Sequence, residues 1–101
     1  MNPGEAREKL EEYRVLVDDV DRRIVALLNE RTRVVENIGR VKRGSGLPIY
    51  EPRREDQVVA NITGNNSGPL TEQAVRRIFE RIIDEMRHVQ RVRMETDGEE
   101  K

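Results

Sequence analysis

The chain lacks cysteine and tryptophan altogether, has one histidine, and keeps aromatics to 3% of its 101 residues. Without cysteine there is no disulfide, no thiol nucleophile and no thiolate metal ligand. The lone His88 stands between Arg87 and Val89 on a charged stretch, where a surface residue is far commoner than a catalyst; no plausible Ser–His pair and no metal-ligand cluster stands out, and no metal site is expected. Long apolar runs are missing too. The longest, "IVALL" from Ile24 to Leu28, is far short of the ~20 residues a membrane-spanning helix needs. The opening "MNPGEAREKLEEY" has no apolar region of the kind secretory signals carry, and a cytoplasmic location is the expectation. Charge of one sign is also lacking, because 19 basic and 20 acidic residues leave a net −1. Nothing global draws nucleic acid or a membrane surface, so an anion site would have to be local.

What is present is charge in bulk, 39% of residues, on a background of Leu, Val and Ile. That balance reads as long helices rather than sheet. From about Glu5 to Arg43 there is no proline and only one glycine, Gly39. Apolar residues fall at Leu10, Tyr13, Val17, Val20, Ile24, Leu27, Val34, Ile38 and Val41, at alternating steps of three and four, which predicts one long amphipathic helix. "GSGLP", Gly44 to Pro48, is a loop. Pro52 suits the first turn of a short second helix with Glu51 at its start, turning Val58, Val59 and Ile62 inward. "GNNSGPL", Gly64 to Leu70, is a second loop. Thr71 can cap a third helix whose stripe is Val75, Ile78, Phe79, Ile82, Ile83, Met86 and Val89. The expected organisation is an N-terminal lead at 1–6, a helical domain at 7–92 and a frayed charged tail at 93–101.

Length bears on assembly. A helix of about 39 residues is about 58 Å long, whereas a compact chain of this size has a radius of gyration of about 13 Å. An apolar stripe that long overhangs anything its own chain can build. The simplest cover is a second copy, giving an intertwined all-α homodimer. The competing arrangement, a break at Gly39 and a monomeric bundle, is disfavoured because a mid-helix glycine costs only about 1 kcal/mol.

One slot of the first stripe is filled by Arg31, between Leu27 and Val34. A charge on a core-facing stripe is costly unless something pairs with it. Lys42 lies eleven residues on, about 1100° of rotation and about 16.5 Å of rise, so both project from one face. Their side chains can lean together over Val34, Val35 and Ile38 and leave a gap of small-molecule size. In the third helix Gln90 occupies the buried stripe, four after Met86, and a buried amide needs partners. The second helix adds Glu51, Arg54 and Glu55, with Glu51 and Glu55 on one face. Cations, one amide and one or two carboxylates suit electrostatic grip and orientation more than proton transfer.

The stretch "RRIVALLNERTRVVENIGRVK" followed by "PIYEPRRE" and "IFERIIDEMRHVQ" resembles the all-helical (type II) chorismate mutases, over about residues 7 to 92. The likeness is greatest to mutase domains related to bacterial shikimate-pathway fusions. The resemblance implies an intertwined dimer with two equivalent sites that rearrange chorismate to prephenate without a cofactor. It implies that Arg31 binds a substrate carboxylate in its own chain and that Arg14 reaches into the partner's site. Seventeen residues separate these two, about 100° of net rotation, so they need not serve one pocket. Lys42 and Gln90 match the donors to the breaking ether oxygen, Glu55 the acceptor from the ring hydroxyl, and Arg54 the arginine beside it. Two positions depart from the pattern: Glu51 stands where Asp is common, and Met86 where some members place a serine near a carboxylate.

Each residue also has a plain structural role open to it. Arg14 can be an interfacial charge, Arg31 a partner for Glu55, Lys42 a cation favoured at a helix C-terminus, Gln90 a bridge between helices, and the two glutamates favourable at a helix start. Alternative functions are an isochorismate pyruvate-lyase of the same fold, which tends to lack the acid at Glu55, and a docking or regulatory module for a shikimate-pathway enzyme, using the Arg-rich "RHVQRVR". A DNA-binding role is disfavoured by the balanced charge and few aromatics.

Overall fold

The computed structural model describes residues 1–99. They form three helices, α1 (Pro3–Ser45), α2 (Pro52–Gly64) and α3 (Glu72–Glu99), and no strand among the described residues. None of these helices is long and apolar enough to cross a membrane. α1 begins two residues before the expected Glu5 because Asn2 caps it. The Asn2 Oδ1 accepts the Glu5 backbone N–H at 2.9 Å, and the Glu5 carboxylate accepts from the Asn2 amide at 2.8 Å. Pro3 fills the first helical position, where a missing N–H costs nothing.

The chain divides into two compact units, residues 1–33 and the chain from Val34 onward. In the first unit no residue is buried. Leu10, Tyr13, Val17, Val20, Ile24 and Leu27, the predicted stripe, are all exposed. Its ion pairs, Lys9–Glu12, Arg14–Glu11 and Arg23–Asp19, lie at helical spacing on the surface, a class worth a few tenths of a kcal/mol each.

The second unit holds the core. The end of α1 contributes Val35 and Gly39, and α3 contributes Val75, Ile83, Met86 and Gln90. α2 adds Val58, Val59 and Ile62, each half-buried. Ile78, expected inward, is exposed, as are Val34, Ile38 and Val41. Arg93 ties α3 to α1 through Glu36 at 2.8 Å. α1 stops at a backbone motif: Gly46 adopts φ 69°, the Leu47 N–H donates to the Lys42 carbonyl at 2.9 Å, and the Gly46 N–H to that of Arg43 at 3.5 Å. This pair of bonds around a left-handed residue satisfies carbonyls the helix leaves open. Thr71 caps α3 as expected, its hydroxyl accepting the Ala74 N–H at 3.1 Å. α3 is helical through Glu99, past the expected domain limit at Val92, and residues 100 and 101 of the expected tail lie outside the described residues.

Candidate functional site

Lys42 stands in the last turn of α1, and both its ends are engaged. Its carbonyl closes the helix stop, while its ammonium donates to the Ile49 carbonyl at 3.1 Å and pairs with the Glu51 carboxylate at 2.9 Å. The side chain is only 11% exposed, against 47% for Glu51. A nearly buried ammonium survives because it is paired and hydrogen-bonded. The loop from 46 to 51 is thus folded back over one residue and fixes where its charge points.

Glu51 precedes Pro52 and makes no side-chain cap to α2, so its carboxylate is available to Lys42. One turn on, Glu55 faces α3 and pairs through Oε1 with Arg87 Nη2 at 2.5 Å. Arg87 also lies over the Tyr50 ring, 4.8 Å from its centroid, and reaches Asp84 at 3.6 Å. Its pKa is raised above the ordinary arginine value, chiefly by the hydrogen bond to Glu55 and against the opposing effect of burial. The sequence reading treats Arg87 as part of an exposed basic end of α3. Instead its side chain is 22% exposed and committed to Glu55. The partners are 32 residues apart, so no helical spacing marks them.

Gln90 is buried at 8% exposure, and its Oε1 has no hydrogen-bond partner among the described residues. A buried amide oxygen left unpaired costs about 1–3 kcal/mol. Its side chain lies against Gly39: a methyl group there would sit 3.5 Å from the Gln90 Cγ. Gly39 is less than one turn before Lys42, so amide and ammonium belong to the same part of the second unit. Met86, one turn before Gln90, is buried at 7%, and a thioether cannot donate the hydrogen bond that a serine would.

Of the other expected residues, Arg54 is exposed, with no ion pair among the described residues. In the first unit Arg31 is half-buried, while Arg14 is exposed and bonded to Glu11 at 2.8 Å. A cavity of about 510 Å³ opens between α2 and α3, lined by Glu55, Val59, Arg76, Glu80, Ile83 and Asp84 among others. It includes Glu55 but not Lys42, Glu51 or Gln90, so it is a groove beside the polar cluster and not its centre. Among the expected site residues, the second unit brings Lys42 to Glu51, Glu55 to Arg87, and Gln90 against Gly39.

The chorismate mutase type II family model matches residues 13–91. A bifunctional chorismate mutase/prephenate dehydratase of Neisseria gonorrhoeae is 38% identical over 84 residues, covering 83% of this chain and 23% of that protein. A chorismate mutase of Methanocaldococcus jannaschii is 34% identical over 55 residues, covering 54% of this chain and 56% of that one. A solved chorismate mutase from Thermus thermophilus superposes with a TM-score of 0.81 at 36% identity, covering 82% of this chain and 94% of that one. The chain spans about a quarter of the length of the bifunctional relatives, 22–23% of each. With the family model and the superposition both taking in most of its length, the chain belongs to the type II chorismate mutase family.

Proposed function

We propose that this chain catalyses the rearrangement of chorismate to prephenate, as a homodimer and without a cofactor. The supporting observation is the buried Gln90 amide with an unpartnered oxygen, packed against the α1 turn that leads to Lys42. A half-turn of that amide exchanges Oε1 for Nε2, so the open buried position can present a donor beside the turn of α1 that leads to Lys42.

In the reaction the ether C–O bond of chorismate breaks as a C–C bond forms, and negative charge builds on the ether oxygen. Lys42 and the Gln90 amide N–H donate to that oxygen, and their bonds strengthen as the charge grows, which lowers the barrier. Arg31, and Arg14 from the partner chain, each hold one substrate carboxylate and select the compact reactive conformer. Arg54 adds positive charge at the mouth. Glu55 accepts from the ring hydroxyl, and Glu51 pairs with Lys42 and keeps it aimed. Met86 replaces a potential donor with an apolar wall, so one carboxylate contact is left to the arginines. The bifunctional relatives pair a mutase with a prephenate dehydratase, and an enzyme of the same pathway is the corresponding partner for this chain.

The test is chorismate consumption by the purified chain, with the product identified and isochorismate run in parallel. Prephenate formation is the expected result. Pyruvate release from isochorismate in its place would assign the lyase reaction. A folded dimer inactive on both substrates would point to docking on a partner enzyme.

A further inference from the structure

The reading above leaves Arg87 without a task, although its guanidinium is engaged on several sides. Its guanidinium meets groups from three parts of the chain: Glu55 of α2 at 2.5 Å, Asp84 of α3 at 3.6 Å, and the Tyr50 ring of the α1–α2 loop at 4.8 Å. Its Nε is buried with no hydrogen-bond partner among the described residues. A planar fork confined in this way has little freedom left to rotate, so it presents Nη2 to Glu55 at a fixed angle. Only the Oε1 of Glu55 is used, and no described residue bonds to its Oε2. The carboxylate is therefore divided, with one oxygen anchored and the other open, and the side chain is 27% exposed.

We propose that Arg87 is a positioning residue for the substrate-binding carboxylate of Glu55: it anchors one oxygen so that the other is aimed at the ring hydroxyl of chorismate. This rests on the mutase reading and adds to it a residue that touches no substrate. The need for such an anchor follows from geometry. A glutamate has three rotatable side-chain bonds, and at a half-exposed position it would sample several of them. Arg87 removes that freedom before substrate arrives, and the Tyr50 ring beneath it keeps the guanidinium from swinging out with its partner. The arrangement also connects the α1–α2 loop to the site. The segment that carries Tyr50 is the one folded back over Lys42, so both aimed charges share a support.

The experiment is a double-mutant cycle on the dimer. Wild type, Arg87→Met, Glu55→Gln and the double variant are assayed with chorismate and with the analogue that lacks the ring hydroxyl, with folding followed by circular dichroism. Removing a residue that orients a metal ligand typically costs about 10–100-fold, and the same order is taken for the carboxylate that Arg87 orients. Arg87→Met is expected to lower kcat/KM for chorismate by about tenfold or more. It should cost little further in the Glu55→Gln background, and little with the analogue, where the aimed oxygen has nothing to accept. If Arg87→Met does not fold, Arg87→Lys takes its place, with the same pattern and a smaller loss. Losses that simply multiply with those of Glu55→Gln, or that are equal on both substrates, would show a general structural role and overturn the proposal. An inactive wild type is a different result: it overturns the mutase reading, and the role of Arg87 with it.

Discussion

In the proposed reaction Lys42 and Gln90 are two donors of different character, and each makes its own prediction. Lys42→Ala removes a nearly buried charge and leaves Glu51 without its cation. The barrier should rise by about 3 kcal/mol or more, as when an oxyanion donor is lost, and kcat measured on the folded variant checks it. Gln90 is neutral and donates at every pH, so the wild-type rate should show little acid-side change between pH 6 and 8 from this group. In Gln90→Glu the donor would be a carboxylic acid, which donates only when protonated. The rate of that variant should climb as pH falls, and a flat profile would contradict the donor role. Arg87 works in the other direction. Its pKa is raised in the folded chain, so the stability it contributes is complete below the ordinary arginine value and is lost only as pH rises through the raised one. Melting temperatures followed from pH 6 to 9 should owe no trend to it. At this scale Glu55 and Gln90 could be picked out of the sequence because helical spacing sets them inward. The anchor of Glu55 could not, since a contact between residues 55 and 87 depends on how α2 and α3 pack, not on any local pattern.

Elements were more legible than contacts. Three runs of apolar residues at steps of three and four foretell three helices, and proline and glycine mark the breaks. The start of α1 was missed by two residues, because its signal is a pair of polar side chains, Asn2 and Glu5, and not periodicity. The α1 stop is set by Gly46 at φ 69°, where any side chain is strained. Gly46→Ala should therefore destabilise the fold by about 1–2 kcal/mol in urea unfolding, the cost of a left-handed residue with a Cβ. At the helical Gly39 the new methyl would meet Gln90 only at ordinary contact distance, and no such strain arises.

For the molecule as a whole, the outstanding feature is an exposed apolar stripe along the first unit. Leu10, Tyr13, Val17, Val20, Ile24 and Leu27 are all at least 43% exposed, far beyond scattered surface hydrophobics. The proposed dimer covers them and brings Arg14 into the partner's site, which gives an arithmetic test. Arg14→Ala and Arg31→Ala should each be nearly inactive alone. A mixed dimer of the two variants holds one site with both arginines and one with neither. Refolding equal amounts together yields half mixed dimers, so about a quarter of wild-type activity should return. No recovery, with mixed dimers demonstrated, would place both arginines in the same chain's site. Sequence length and stripe made the dimer thinkable, but only the exposure of these side chains in the folded chain says how much surface is at stake.

The double engagement of Lys42 has a consequence for how the chain can vary. Its carbonyl and its ammonium hold Leu47, Ile49 and Glu51 in register, so the segment between them has a set length. An extra residue there would push Glu51 along or release the carbonyl, and in either case the ammonium would lose its aim. The loop before α3 is held by Asn66, which bonds to Leu70 and Gly68 and to no residue of the polar cluster. Insertions should be tolerated before α3 and rare between α1 and α2, so that the history of the family is written in loop length at one end of α2 and erased at the other.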